Sequence, residues 1–256
     1  MRGLTELVDV DDPAWPPLLE AFAASETPIE VLPGDTEQGG ACLVQLQVSA
    51  RSYLGAMALH SGGIIVDGGW LRVFGGVAGT PAAGLPSLGQ VNRFPRDVDP
   101  AWRPTHGLVV AHDALGGVFA LNGHDSADAG RPGAPGQMVY FAPDSLGWES
   151  LEVGYGTWLT WLLSDRLEQF YEGLRWPGWQ GEASRLTSDR GISVFPPLWS
   201  KEAHADLAAT SRRPVRMAEL LGVSRDFCAQ MGLPDPGFLG SVERPPASAR
   251  AARGVM

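Results

Sequence analysis

Five short apolar runs, cut apart by glycine-containing turns, occupy the middle of this 256-residue chain and limit its fold more than any other feature. They lie at residues 64–66, 70–74, 107–111, 117–121 and 137–141. The first two flank Asp67-Gly68-Gly69, whose glycines can take the positive φ of a tight hairpin. Such spacing predicts a meandering antiparallel sheet. A further short strand is expected at Ile29-Glu30-Val31-Leu32, ending at Pro33-Gly34.

Helical periodicity dominates outside this block. Trp15, Leu18, Leu19 and Phe22 share one face after Asp11-Asp12-Pro13, where a carboxylate can cap the helix start. A second helix is expected from Ser52 to Leu59, closed by Gly62-Gly63. Leu159, Leu162, Leu163, Leu167, Phe170 and Leu174 form one stripe, so a helix or kinked pair over 157–174 closes the sheet. Short helices are expected at 202–209 and 215–221, and residues 75–104 read as a long surface loop. Strands in the middle with helices at both ends make an α+β fold: a central, mainly antiparallel sheet flanked by helices, with a C-terminal helical annex. The expected organisation is one α+β domain over 1–180, the annex packed on it over 181–233, and a disordered tail over 234–256.

Apolar residues make up 44% of the chain and charged residues 19%, enough to bury a large core and to exclude disorder throughout. A net charge of −10 argues against nucleic acid as partner, since phosphate binding needs a basic surface. Acidity concentrates at the start, where Glu6, Asp9, Asp11, Asp12, Glu20, Glu26, Glu30, Asp35 and Glu37 are opposed only by Arg2. This is a solvated acidic face or a docking surface for a basic protein partner. No membrane span or basic-then-apolar leader is visible, so a cytoplasmic location is expected. Cys42 and Cys228 are far apart, sit among apolar neighbours and lack metal-ligand spacing.

Catalytic signatures are absent: there is no GxSxG elbow, HExxH helix, phosphate-binding P-loop or GxGxxG after a strand. The densest titratable group is His112-Asp113 with His124-Asp125 and Asp128. A hairpin bringing them together could serve a hydrolase or transferase, or hold a divalent metal. The plainer reading is polar hairpin ends, because the helical scaffold and further ligands of the His-Asp phosphohydrolases are missing. Neither a metal nor a cofactor is expected. Met217 to Arg225 resembles the middle of a helix-turn-helix, yet Phe227, Cys228 and Met231 are apolar where base-reading groups belong. A packed helical hairpin is the competing reading. Trp148, Trp158, Trp161, Trp176 and Trp179 crowd one stretch. Trp176-Pro177-Gly178-Trp179 at a helix end looks hard to bury, which makes Trp176 and Trp179 candidates for partner binding.

Glu6-Leu7-Val8-Asp9, Asp12-Pro13-Ala14-Trp15, Gln47-Val48 with Arg51-Ser52, Ser61 to Asp67 and Gly69-Trp70-Leu71-Arg72 together resemble an uncharacterised bacterial family known only as a domain of unknown function. The resemblance runs to about residue 232. The order of a helix closing on Gly-Gly, a strand, the Leu115 to Asn122 segment, Val139-Tyr140-Phe141-Ala142, Trp148-Glu149-Ser150-Leu151 and a helix near Thr157 is similar to the SUKH superfamily. That similarity implies a SUKH-like fold and a non-enzymatic protein-binding role, as in immunity and scaffold proteins.

Overall fold

A computed structural model describes residues 1–78, 84–104 and 107–242. The N-terminal helices are α1 (Leu4–Val8), α2 (Trp15–Ala24), α3 (Thr36–Leu46) and α4 (Tyr53–His60), with strand β1 (Ile29–Pro33) between α2 and α3. Strands β2 (Ser61–Val66) and β3 (Leu71–Phe74) follow, then α5 (Leu88–Val91), β4 (Gly107–Asp113), β5 (Val118–Asn122), β6 (Met138–Ala142) and β7 (Gly147–Ser150). Helices α6 (Tyr155–Trp161), α7 (Arg166–Phe170) and α8 (Trp179–Ala183) come next. The chain then forms β8 (Arg190–Phe195), α9 (Lys201–Ala205), β9 (Ser211–Arg216) and α10 (Met217–Met231).

Strands β1 to β7 pair in chain order, each antiparallel to the next, as the meander predicts. The fold is α+β. Asp67–Gly69 makes the β2–β3 turn, with Gly68 at φ 63° and Gly69 at φ 99°. Because side chains alternate across a strand, register assigns the two faces. Leu71, Val73, Ala111, Phe119 and Tyr140 face the helices: Trp158 of α6 lies 5.2 Å from Phe119, and Phe170 of α7 lies 4.9 Å from Tyr140, ring to ring. Glu30, Ile65, Arg72, His112, Val118, Phe141 and Trp148 lie on the opposite face.

Several local expectations are corrected. Alanine, not a carboxylate, occupies the cap position of α2, and no side chain bonds there. Gly62 and Gly63 do not close α4; they lie within β2, where a Cβ on Gly63 would come 2.3 Å from the Val73 carbonyl. Backbone proximity, not helix capping, requires the glycine. The stretch 75–104 contains α5, and Asn92 after it exchanges two hydrogen bonds of 2.8 Å with the backbone of Val109, where β4 bulges. Residues 181–233 hold the β8–β9 hairpin as well as helices.

The tail expectation is also corrected over 234–242, which runs across the second sheet face. Trp148 Nε1 donates to the Pro236 carbonyl at 3.0 Å, Arg131 to Phe238 at 2.9 Å, and His112 Nε2 to Leu239 at 2.9 Å. Leu239 is fully buried. The segment has no helical or strand periodicity, but its carbonyls satisfy buried and part-buried donors of the sheet and of the β5–β6 connection. Residues 243–256 lie outside the described residues.

Candidate functional site

In the β4–β5 hairpin Gly107 pairs with Asn122 and His112 with Val118. His112-Asp113 therefore sits at the turn end, whereas His124-Asp125 follows Asn122 at the other end. Five residues of strand separate the pairs by roughly 16 Å. The sequence-predicted set His112, Asp113, His124 and Asp125 is not assembled, because in an antiparallel hairpin the exit of one strand lies beside the entry of the other. Among the described residues no group of three His, Cys, Asp or Glu side chains is placed to hold a metal ion.

Asp113 is completely buried and saturated with donors. Its Oδ1 accepts from the Leu115 and Gly117 backbone at 2.9 and 2.8 Å, and its Oδ2 accepts from Tyr140 at 2.7 Å and Tyr171 at 3.2 Å. Burial pushes the carboxyl upward while these bonds pull it down; burial beside Asp113 holds both phenols well above their ordinary range. The cluster ties the β4–β5 turn to β6 and to the end of α7. It contains no exposed atom that could meet a substrate. His112 is equally enclosed, edge-on to Phe74 at 5.1 Å, and burial lowers it to about 4, so it is neutral at physiological pH.

The exposure expected of Trp176 and Trp179 is corrected: they are 2% and 9% exposed. Both rings meet Trp70, at 5.8 and 5.0 Å. Arg175 stacks 3.9 Å over Trp179 and pairs with Asp67 at 2.6 Å, while Trp176 Nε1 donates to Glu182 at 2.8 Å. A large indole at a sharp turn is buried here because the β2–β3 hairpin supplies a third. The helix-turn-helix reading also fails. Helix α10 continues unbroken through Gly222 and Ser224, packing on the β8–β9 hairpin.

The N-terminal layer carries a concentration of exposed charge. All nine carboxylates from Glu6 to Glu37 are exposed. Glu6, Asp9 and Asp11 line a groove of about 450 Å³ beside α1, with Arg2 and Arg51 across it. Leu4 and Val8 of the same helix are 46% and 37% exposed, and Leu19 of α2 is 40% exposed. Backbone bonds from Ala50 to Leu7 and from Ala14 to Ala50 fix the end of α1 next to the start of α2. Three carboxylates and two guanidinium groups therefore line the groove, and Leu4 and Val8, two positions to either side of Glu6, do not share its helix face.

The family model described as "Protein of unknown function DUF2625" matches residues 4–220. The chain belongs to the DUF2625 family. It is 35% identical over 225 residues to the uncharacterized protein YbfG of Escherichia coli (strain K12), covering 86% of this chain and 94% of YbfG. An uncharacterized protein of Haemophilus influenzae is 29% identical over 197 residues, covering 77% of this chain and 82% of the relative. No solved structure matches.

The DUF2625 match takes in the groove apart from Arg2, the Asp113 cluster and the whole seven-stranded sheet; residues 235–242, which close over His112, lie beyond it. Sequence reasoning passed over one residue on that sheet: Arg72, 3% exposed, in the middle of an apolar strand. A lone arginine between Leu71 and Val73 was the available signal, since a buried guanidinium needs partners.

Proposed function

We propose that the protein is a non-enzymatic protein-binding module of the immunity or scaffolding kind that the sequence resemblance to the SUKH superfamily implies, acting in the cytoplasm on a basic protein. The observation that carries this reading is the groove beside α1, lined by Glu6, Asp9 and Asp11. Carboxylates at such a groove steer a basic partner towards it. No helix among the described residues is long and apolar enough to cross a membrane, and both cysteines are unpaired, buried thiols, which accords with a reducing compartment. The rival hydrolase or transferase reading loses support from the separation of His112-Asp113 and His124-Asp125.

The test is affinity capture from native lysate with mass spectrometry, comparing the full chain with a Glu6→Gln, Asp9→Asn, Asp11→Asn variant. A basic protein should be retained by the first, released by salt, and bound about tenfold more weakly by the variant. Retention of the same partner by both would remove the groove from the hypothesis; retention of none would remove protein binding.

A further inference from the structure

Helix α10 turns one face towards the C-terminal segment 235–242, and a cleft of about 460 Å³ lies between them. That face consists of Ala218, Gly222 and Arg225, spaced four and three residues apart and so aligned on one side of the helix. Gly222 is its unusual member. It sits in the interior of a 15-residue helix, where glycine is disfavoured against almost any other residue. It does not take a positive φ, and a Cβ built on it would meet nothing within 4 Å, so neither backbone geometry nor packing calls for glycine. What the missing side chain leaves is open space at the cleft wall. The volume is that of a small-molecule site.

The charges around the cleft are accessible and unequal. Arg93 and Arg225 are exposed, and neither makes an ion pair among the described residues. Both meet the same dipeptide of the segment: Arg225 Nη2 donates to the Gly237 carbonyl at 3.3 Å, and the Arg93 guanidinium lies 5.4 Å from the centre of the Phe238 ring. A guanidinium carries five N–H donors, so one long bond leaves most of Arg225 available. Asp235 is the only carboxylate among the described residues of the lining, and one of its oxygens already accepts from the Gly237 N–H at 2.8 Å. Two cations against one anion leave a single positive charge to be matched. Leu221, Phe238 and Val242 add apolar wall.

We propose that the cleft between α10 and residues 235–242 binds a small organic carboxylate, its oxygens accepting from Arg93 and Arg225 and its apolar body lying against Leu221 and Phe238 in the space that Gly222 leaves. A carboxylate carries the one negative charge that the lining lacks, and guanidinium groups match its two oxygens in geometry. The site is separate from the acidic groove, and neither reading depends on the other.

The probes are hexanoate and phenylacetate, set against hexanamide, phenylacetamide and acetate, titrated into the full chain at millimolar concentration and followed by backbone amide shifts. The two acids should shift Ala218, Gly222, Gly237 and Gly240, and should bind about tenfold more tightly than their amides, which lack the charge that the guanidinium groups meet. Acetate, with almost no apolar body to cover, should bind about tenfold more weakly than hexanoate. Arg93→Met and Arg225→Met should each narrow the advantage of acid over amide, and so should added salt. Gly222→Leu, which fills the cleft from the helix wall, should abolish the shifts while keeping or raising the melting temperature. Amides that bind as tightly as acids would overturn the proposal, as would acetate equal to hexanoate, an absence of shifts at the cleft, or shifts that survive Gly222→Leu. An acid advantage unchanged in both arginine variants would overturn it as well, and that comparison decides the matter even where Gly222→Leu fails to fold.

Discussion

Asp113 and Arg72 lie on adjacent strands, both nearly or fully inaccessible, yet their surroundings differ in kind. Asp113 accepts four hydrogen bonds from three parts of the fold and has no capacity left. Arg72 gives one hand to the Arg190 carbonyl and leaves the other unmatched beside a cleft. A buried ion whose partners are complete locks a structure together, whereas one whose partners are incomplete carries a desolvation cost that nothing offsets. The sheet face decides which: the helices close completely over Asp113, and the C-terminal layer stops short of Glu30 and Ile65.

The largest effect should come from Asp113→Ala, which strands two phenols and two backbone N–H groups at once. We expect a loss of about 3–5 kcal/mol in urea denaturation. A loss near that of an ordinary surface change would show that the four donors find other acceptors, and the contrast with Arg72 would collapse.

His112, the register neighbour of Arg72, should produce the next largest effect, through pH. Its ring is lowered by burial from 6.5 to about 4 in the folded protein. Between those values the unfolded chain takes up the proton first, so stability falls as pH drops from about 6.5 towards 4. About 2 kcal/mol should be gone by pH 5. Asp113, raised by burial, works in the opposite sense at the acid end, since its folded form gains a proton before the unfolded form does. Urea midpoints at pH 7 and pH 5 check this, and His112→Gln, which keeps a donor for the Leu239 carbonyl, should shrink the difference. An unchanged difference in that variant would assign the pH dependence to other groups.

Arg72→Met should cost less, about 1–2 kcal/mol, because it removes a desolvated charge and an unmatched donor together with one good hydrogen bond. A cost equal to that of Asp113→Ala would mean that Arg72 is as fully integrated as the aspartate.

Much of this frame was legible in the sequence because it rests on local periodicity. The β2–β3 hairpin follows from Asp67-Gly68-Gly69 between apolar runs, and the α6–α7 pair from the leucine stripe over 157–174. The sites were less legible, since they depend on what comes from far along the chain. His112 and Asp113 look reactive as a dipeptide, yet Tyr171 and Leu239, 58 and 127 residues away, decide that they are enclosed. Trp176 and Trp179 look exposed at a Trp-Pro-Gly-Trp turn until Trp70 is placed between them. The apolar composition of β3 hid Arg72, because no pattern within five residues shows that a guanidinium lies beside a cleft.

The smallest effect should come from the third kind of charge, one that water already satisfies. Arg51 approaches Asp11 at 3.8 Å with side chains 60% and 98% exposed, and its Nε also donates to the Asp11 carbonyl at 3.0 Å. At such exposure the dielectric of water and dissolved salt weaken the attraction, and holding two long side chains costs rotamer entropy, so Arg51→Ala should change stability by less than about 0.5 kcal/mol. Its consequence lies elsewhere: removing one of the two cations at the groove leaves Glu6, Asp9 and Asp11 less neutralised, which should speed association with a basic partner at low salt. Stability measured in urea and association rate measured at two salt concentrations separate these outcomes. A loss of 2 kcal/mol or more would show that the pair is structural, since no surface ion pair of this geometry reaches that magnitude. A slower rate would place the acidic groove outside the partner's path.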